Sequence, residues 1–178
     1  MALNATIFRC VMQISNLDRG YFNDHTLRIA RHPSETDERM MVRLLAFALN
    51  AHPDLQFTRG LSDDNEPDLW QKSLTGDIDL WVELGQPDER RIRKALGRAS
   101  RVIIYCYQDR AADVWWKQIS SKLTGLEDLS IYKLPEGVSE QLAKFAERNM
   151  TLQCLVQDGE IWFSSMQDNL RCILEQLK

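Results

Sequence analysis

The sequence of 178 residues has little of what divides or staples a chain. Its 8 glycines and 5 prolines are scattered, and no Pro/Gly/Ser-rich tract, internal repeat or low-complexity segment offers a linker. One domain spanning 1–178 is therefore expected. The four cysteines, Cys10, Cys106, Cys154 and Cys172, lie far apart among apolar neighbours and form no CxxC pair. This excludes the simplest zinc spacing and a disulfide frame, and predicts reduced core thiols. No cationic stretch followed by an apolar run stands at the N-terminus, so export is not expected. The richest apolar stretch, Met40 to Ala51, contains Arg43 and falls short of the roughly 20 residues a membrane span needs. A cytoplasmic protein with no membrane contact is expected. An excess of positive charge is missing too: 22 Lys and Arg stand against 26 Asp and Glu, a formal charge of −4. A globally basic nucleic-acid binder is excluded, and any phosphate contact must be local. GxSxG, HExxH, Walker A and GxGxxG are absent, and His25, His32 and His52 are not spaced as metal ligands.

What the sequence does contain is alternation. Ala5 to Ile14 and Thr26 to Ala30 alternate apolar and polar residues, as two strands joined by a long hairpin loop would. Pro33 and Ser34 begin a helix to about Ala51, with Ser34 as N-cap and Asp37 completing a capping box. Leu55 to Thr58 is a short strand, and Gly60 to Pro67 is turn-rich and acidic. In Asp77 to Leu84, Ile78, Leu80, Val82 and Leu84 share one face, while Asp77, Asp79, Trp81 and Glu83 share the other. Pro87 to about Arg98 follows as a helix. The nearly continuous apolar run Arg101 to Tyr107 predicts a strand covered on both sides. Asp109 caps a helix in which Ala112, Trp115, Trp116, Ile119 and Leu123 recur at helical spacing. A strand around Leu129 to Leu134, a helix from Ser139 to about Glu147, and a terminal hairpin turning at Asp158 and Gly159 complete the order. The fold class is α/β (mixed α+β): a central mixed β-sheet flanked by helices, with N-terminal and C-terminal hairpins.

Three constellations carry chemistry. The acids of the Asp77 to Leu84 strand sit on a rigid element and suit a hard cation such as Mg²⁺. Asp79 and Glu83 are roughly 13 Å apart along an unbroken strand, too far to ligate one ion, so one of them would join carboxylates from elsewhere. A solvated outer face partly covered by Trp81 is the plainer alternative. Glu38 projects to the side of Met41, Leu45 and Leu49, where an acid needs a partner or an ion, or is simply exposed at an edge. Arg39 and Arg43 project to the opposite, polar side. Arg90, Arg91, Arg93, Lys94, Arg98 and Arg101 form the densest basic segment, suited to phosphate capture or, more cheaply, to pairs such as Glu89 with Arg93. Gln153 lines a cleft or satisfies a neighbour. Pro67-Asp68 precedes Glu83, a dipeptide that alone specifies little.

ARHPSETDERMMVRLLAFAL at Ala30 to Leu49, LQFTRGL at Leu55 to Leu61 and DLWVELGQPDERRIRKA at Asp79 to Ala95 together resemble the bacterial YaeQ family. RAADVWW at Arg110 to Trp116 and MTLQCLVQDGEIWFS at Met150 to Ser164 extend the resemblance almost to the C-terminus. It implies a variant of the PD-(D/E)XK nuclease-like core. In that superfamily an acid on the first core helix, an Asp on one strand and an acid-x-Lys on a neighbouring strand gather around Mg²⁺. The resemblance thus implies Glu38 as the helix acid, Glu83 as the acid of the third element, and Asp79 or Asp68 as the other strand carboxylate. Glu83-Leu84-Gly85 departs from the motif, with Gly where Lys belongs; Lys94 or Gln153 would substitute as the group that orients water. The expected activity is a Mg²⁺-dependent phosphodiesterase on nucleic acid, with Mn²⁺ as a substitute metal and Arg90, Arg91, Arg93 and Arg98 meeting phosphates. The alternatives are a non-catalytic binding or regulatory module on the same scaffold, with a nucleic-acid or protein partner, and a structural role in which the carboxylates pair with Arg39, Arg59 and Arg90.

Overall fold

A computed structural model describes residues 4–59, 61 and 63–178. Gly60 and Ser62 of the turn-rich segment, like 1–3, lie outside the described residues. The chain forms two compact units, Met1–Ala51 with Gly137–Leu174, and His52–Glu136 with Glu175–Lys178. Each has its own mixed sheet, so the expected single central sheet is replaced by two.

In the first unit, β1 (Thr6–Asn16) alternates strictly, with Phe8, Cys10, Met12 and Ile14 buried and the residues between them exposed or half-buried. β2 (Tyr21–Arg31) pairs with it antiparallel along its whole length. The expected long loop is therefore only the turn 17–20. Asn23 and Asp24 have turn propensity, yet they stand opposite Ile14 and Gln13 in the ladder, where cross-strand pairing overrides it. β8 (Asn149–Gln157) runs parallel to β1, and β9 (Glu160–Ser164) and β10 (Asn169–Ile173) continue antiparallel, giving the order β10-β9-β8-β1-β2. The β8–β9 turn uses positive φ at Asp158 (52°) and Gly159 (76°), and the Asp18 carboxylate accepts both of their backbone N–H groups at 2.7 and 2.8 Å.

α1 (Asp37–Leu49) and α4 (Val138–Ala143) pack together in this unit. Phe47 meets His25 of β2 edge-on at 5.1 Å, and Phe145 meets Phe163 of β9 at 5.3 Å. Thr36, not Ser34, is the N-cap of α1, its Oγ1 accepting from the Arg39 N–H at 3.1 Å. Ser34 is diverted to the His32 ring. The polar side assigned to Arg43 is also overturned. Met40 to Ala48 is buried without a break, and Arg43 is 2% exposed. Its Nη2 donates to Glu35 Oε2 at 2.7 Å and to the Ala30 carbonyl at 3.1 Å, while Arg39 takes the other Glu35 oxygen at 3.0 Å. An arginine inside a helix enclosed all round is tolerated because its charge is paired.

In the second unit the sheet order is β11-β7-β6-β5-β4-β3. β3 is Leu55–Phe57, β4 Leu69–Lys72, β5 Ile78–Leu84, β6 Val102–Cys106, β7 Leu129–Lys133 and β11 Glu175–Gln176. β5, β6 and β7 are parallel, with antiparallel strands at both edges. β6 is buried at every position, as its apolar run requires. α2 (Glu89–Leu96) is capped by Asp88, and α3 is Asp109–Ile119. Trp81, Ile92, Ala95, Val102, Ile104, Ala112, Ile119 and Ile131 form the core, with Trp115 and Trp116 packed partly buried against it. The solvated acid face expected over Asp77 to Glu83 is overturned at its Trp81 and Glu83 end, while Asp77 is exposed and Asp79 half-buried. Trp81 and Glu83 are 2% and 5% exposed, because α2 and α3 residues pack against the Trp81 side. β4, only four residues within a polar stretch, is a strand by virtue of pairing with β5. No helix among the described residues is long and apolar enough to cross a membrane.

Candidate functional site

Two acids of the second unit, Asp68 and Glu83, come together where β4 begins and β5 ends. Asp68, 2% exposed, donates its backbone N–H to the Val82 carbonyl at 3.0 Å, and its Oδ2 accepts from the Leu84 N–H at 2.9 Å. Those two bonds bracket Glu83 on the adjacent antiparallel strand. Glu83 Oε1 accepts from Trp81 Nε1 at 2.8 Å and from Arg91 Nε and Nη2, both at 2.9 Å. Burial pushes the Glu83 carboxyl above the ordinary carboxylate value; the Arg91 and Trp81 donors pull it down and the charge of Asp68 pushes it up. A buried carboxylate pair is an arrangement that favours either a cation or a proton.

The cation at hand is a guanidinium. Arg91, one turn into α2, donates from Nη1 to the Asp64 carbonyl and from Nη2 to the Glu66 carbonyl, each at 3.0 Å. One turn further, Lys94 Nζ reaches Asn65 Oδ1 at 2.6 Å, and Arg98 Nη1 reaches the Asn65 carbonyl at 2.6 Å. Arg91 and Lys94 of α2, with Arg98 just past its C-cap, thus clasp the segment 64–66. Arg93 turns elsewhere, to Glu89 at 2.8 Å and the Lys122 carbonyl at 3.1 Å, the cheap i,i+4 pair. Arg90 is exposed.

The other sequence-nominated residues fall apart from this cluster. Asp79, at the start of β5, lines an open depression with Asp77, Gly97, Arg98 and Ser100, and Trp81 stands between it and Glu83 on the same strand face. Glu38 belongs to the first unit, where its Oε1 accepts from Ser139 Oγ at 2.5 Å. Gln153, also in the first unit, is exposed on β8 between Gln13 and Ser164. Two residues escaped sequence reasoning. Glu35 anchors Arg39 and Arg43, and Gln86 follows Gly85 with its amide nitrogen enclosed and without a hydrogen-bond partner among the described residues. The signal for Gln86 was its position three residues after Glu83, past a glycine at φ 90° that turns the chain out of β5.

Among the described residues no group of three or more His, Cys, Asp and Glu converges as metal ligands. Asp68 and Glu83 still fit Mg²⁺ in kind, since that ion takes one or two carboxylates and completes its shell with water and phosphate.

The YaeQ protein family matches residues 1–173. The chain belongs to the YaeQ family. The YaeQ protein of Salmonella typhi is 52% identical over 170 residues, covering 96% of this chain and 94% of that one. That of Escherichia coli K12 is 51% identical over 173 residues, with the same coverage. The crystal structure of YaeQ from Xanthomonas axonopodis pv. citri matches at TM-score 0.95 and 43% identity over 98% of both chains. That from Pseudomonas syringae matches at 0.93 and 34%, over 98% of this chain and 96% of that one. Two mixed sheets flanked by helices are thus the YaeQ fold.

Proposed function

We propose that the Asp68 and Glu83 carboxylates form the metal site of a Mg²⁺-dependent phosphodiesterase acting on nucleic acid, on a PD-(D/E)XK-type core. The observation that carries this reading is the pair itself: two buried acids, Asp68 immediately before β4 and Glu83 on the adjacent antiparallel β5, with Pro67-Asp68 before and Glu83-x-Gly85 after. Asp68 and Glu83 would hold the ion, which when bound supplies Lewis acidity to a phosphodiester. This chain's own groups do the rest. The Leu84 N–H fixes the Asp68 carboxylate, Trp81 Nε1 fixes Glu83, and the enclosed Gln86 amide is a donor in the neighbourhood where the missing motif lysine would have stood. Arg91 neutralises Glu83 when no metal does.

The test is Mn²⁺ titration by calorimetry together with cleavage assays on single-stranded and duplex DNA and RNA. Asp68→Asn and Glu83→Ala should each abolish metal binding and lower cleavage at least about 100-fold. Metal-dependent cleavage that survives both substitutions overturns the assignment. A second reading, a non-catalytic module on the same scaffold, draws on Arg91: its guanidinium on Glu83, and Gly85 in place of lysine, describe an acid locked by an internal cation. Absence of Mn²⁺ binding at millimolar concentration would favour it.

A further inference from the structure

The first unit keeps one face of its sheet uncovered. β1 turns Ile7, Arg9, Val11 and Gln13 outward, and Ile7 and Val11 are 46% and 48% exposed. At one end of this face Arg9 stands directly opposite Arg28 on β2, and beside Asn149 on β8. Like charges directly opposite across a ladder repel, and neither guanidinium has a carboxylate partner among the described residues. Ile7, Arg9 and Asn149 border a depression of about 290 Å³ with Arg148, whose own guanidinium lies 5.6 Å over the ring of Phe8 on the buried side of β1. At the other end one register row runs Arg171, Trp162, Leu155, Ser15, Phe22 across all five strands. Phe22 is 64% exposed, Trp162 is half-buried, and Arg171 lies 5.6 Å over the Trp162 ring while bonded to Glu160. The two ends are six residue steps apart along β1, from Arg9 to Ser15, roughly 20 Å.

We infer that this face binds single-stranded nucleic acid, phosphates at the Arg9–Arg28 end and bases stacked on Trp162 and Phe22. Unpaired guanidiniums side by side call for a shared anion, and Arg suits phosphate. Aromatic rings on an open sheet offer stacking that single strands can use and the paired bases of a duplex cannot. Between the two ends, Gln13, Thr151 and Gln153 supply donors and acceptors to base edges. A second copy of the chain fits less well, since among the described residues its same face offers Asp24 as its unpaired acid against the Arg9 and Arg28 guanidiniums. The inference deepens the proposed function by naming the form of nucleic acid, and it concerns the first unit alone, so it stands or falls without the Asp68–Glu83 metal site.

The experiment is fluorescence anisotropy with the full chain and a labelled 12-nucleotide oligo-dT, its oligo-U counterpart and a 12-base-pair duplex, in EDTA over a salt series. Single strands should bind better than duplex. Arg9→Gln with Arg28→Gln should weaken binding and flatten the log–log salt slope by roughly 1.4, two phosphates' worth. Trp162→Ala should weaken it about ten-fold with the slope unchanged; Phe22→Ala, at a more exposed position, should act the same way if loss of Trp162 perturbs folding. No binding at 50 mM salt, binding indifferent to these substitutions, or equal affinity for duplex overturns the inference. So does light scattering that finds a dimer in the parent and a monomer in the variants. Because EDTA removes the metal, loss of cleavage with binding intact refutes the proposed chemistry and not this surface, and the reverse holds.

Discussion

Glu83 is the residue on which most of the second unit's electrostatics turn. Its Oε1 collects three N–H donors, two of them from Arg91, itself 28% exposed at the side chain. Removing the guanidinium leaves a buried carboxylate with the Trp81 indole N–H on its Oε1. Arg91→Gln should therefore cost about 2 to 4 kcal/mol at neutral pH. The pH dependence has a definite sign. Burial already raises the folded carboxyl above its unfolded value, so the folded state holds the proton more tightly and stability falls as pH rises between the two. Loss of Arg91 raises the folded value further, widening that window upward. Urea unfolding of parent and variant from pH 4 to 8 should show a small deficit at the acid end that grows with pH. A deficit constant across the range would show that Arg91 acts through its carbonyl contacts with 64–66 and not through Glu83. Glu35 with Arg43 is the corresponding pair in the first unit, and neither was legible in the sequence. Helical projection counts faces, and Arg43 sits in a helix that has no outward face along Met40 to Ala48.

At the scale of elements, alternation was a reliable guide where one face meets water and a poor one where both are covered. β1, β8 and the Asp158–Gly159 turn follow from period and turn chemistry, and β6 from its unbroken apolar run. β5 has the same period, yet the Trp81 and Glu83 end of its acidic face is buried, because α2 lays Ile92 and Ala95 against Trp81 and brings Arg91 to Glu83. That depends on which helix packs where, which a local pattern does not encode. The tie between β7 and α3 is similar. Lys133, at the end of β7, donates to Asp109 and Asp113 on α3 at 2.8 and 2.7 Å. The two carboxylates hold its amine protonated well above the ordinary lysine value. A raised lysine stabilises fully below its unfolded pKa and loses that contribution as pH climbs through the folded one. Lys133→Met should cost about 1 to 2 kcal/mol at pH 7, discounted because Asp109 and Asp113 are partly exposed. The difference between parent and variant should shrink above about pH 10.5, where unfolded lysine begins to lose its proton. Chemical denaturation at pH 7, 9 and 11 measures it. A gap that persists undiminished at pH 11 would attribute the effect to the packing of the lysine stem.

For the whole molecule, the absence of linkers in the sequence has a structural counterpart: neither unit is continuous. The chain leaves the first unit at Ala51, returns at Gly137 and departs again after Leu174, so that Glu175–Gln176 closes the edge of the second unit's sheet. Composition registers no boundary because the crossings occur within ordinary globular sequence, and family resemblance, which spans 1–173, registers none either. The apolar segment Leu170 to Leu177 illustrates the difficulty. Its residues look continuous, yet β10 ends at Ile173 in one sheet and β11 begins at Glu175 in the other. The crossing makes a sharp prediction. Ending the chain at Leu174 removes β11, the Leu177 N–H to Ile131 carbonyl bond of 2.8 Å, the Ile131 N–H to Lys178 carbonyl bond of 3.0 Å, and the Leu177 contact with the Trp81 core. At about 1 kcal/mol for each hydrogen bond, amide exchange in β7 should accelerate roughly ten-fold or more. β1 and β8, whose ladder lies within the first unit, should keep the parent's rates. Hydrogen-exchange mass spectrometry resolves these peptides. Equal acceleration in β7 and β1 would mean that the two units unfold as one cooperative body, and no acceleration in β7 would mean that β11 contributes nothing to the sheet it completes.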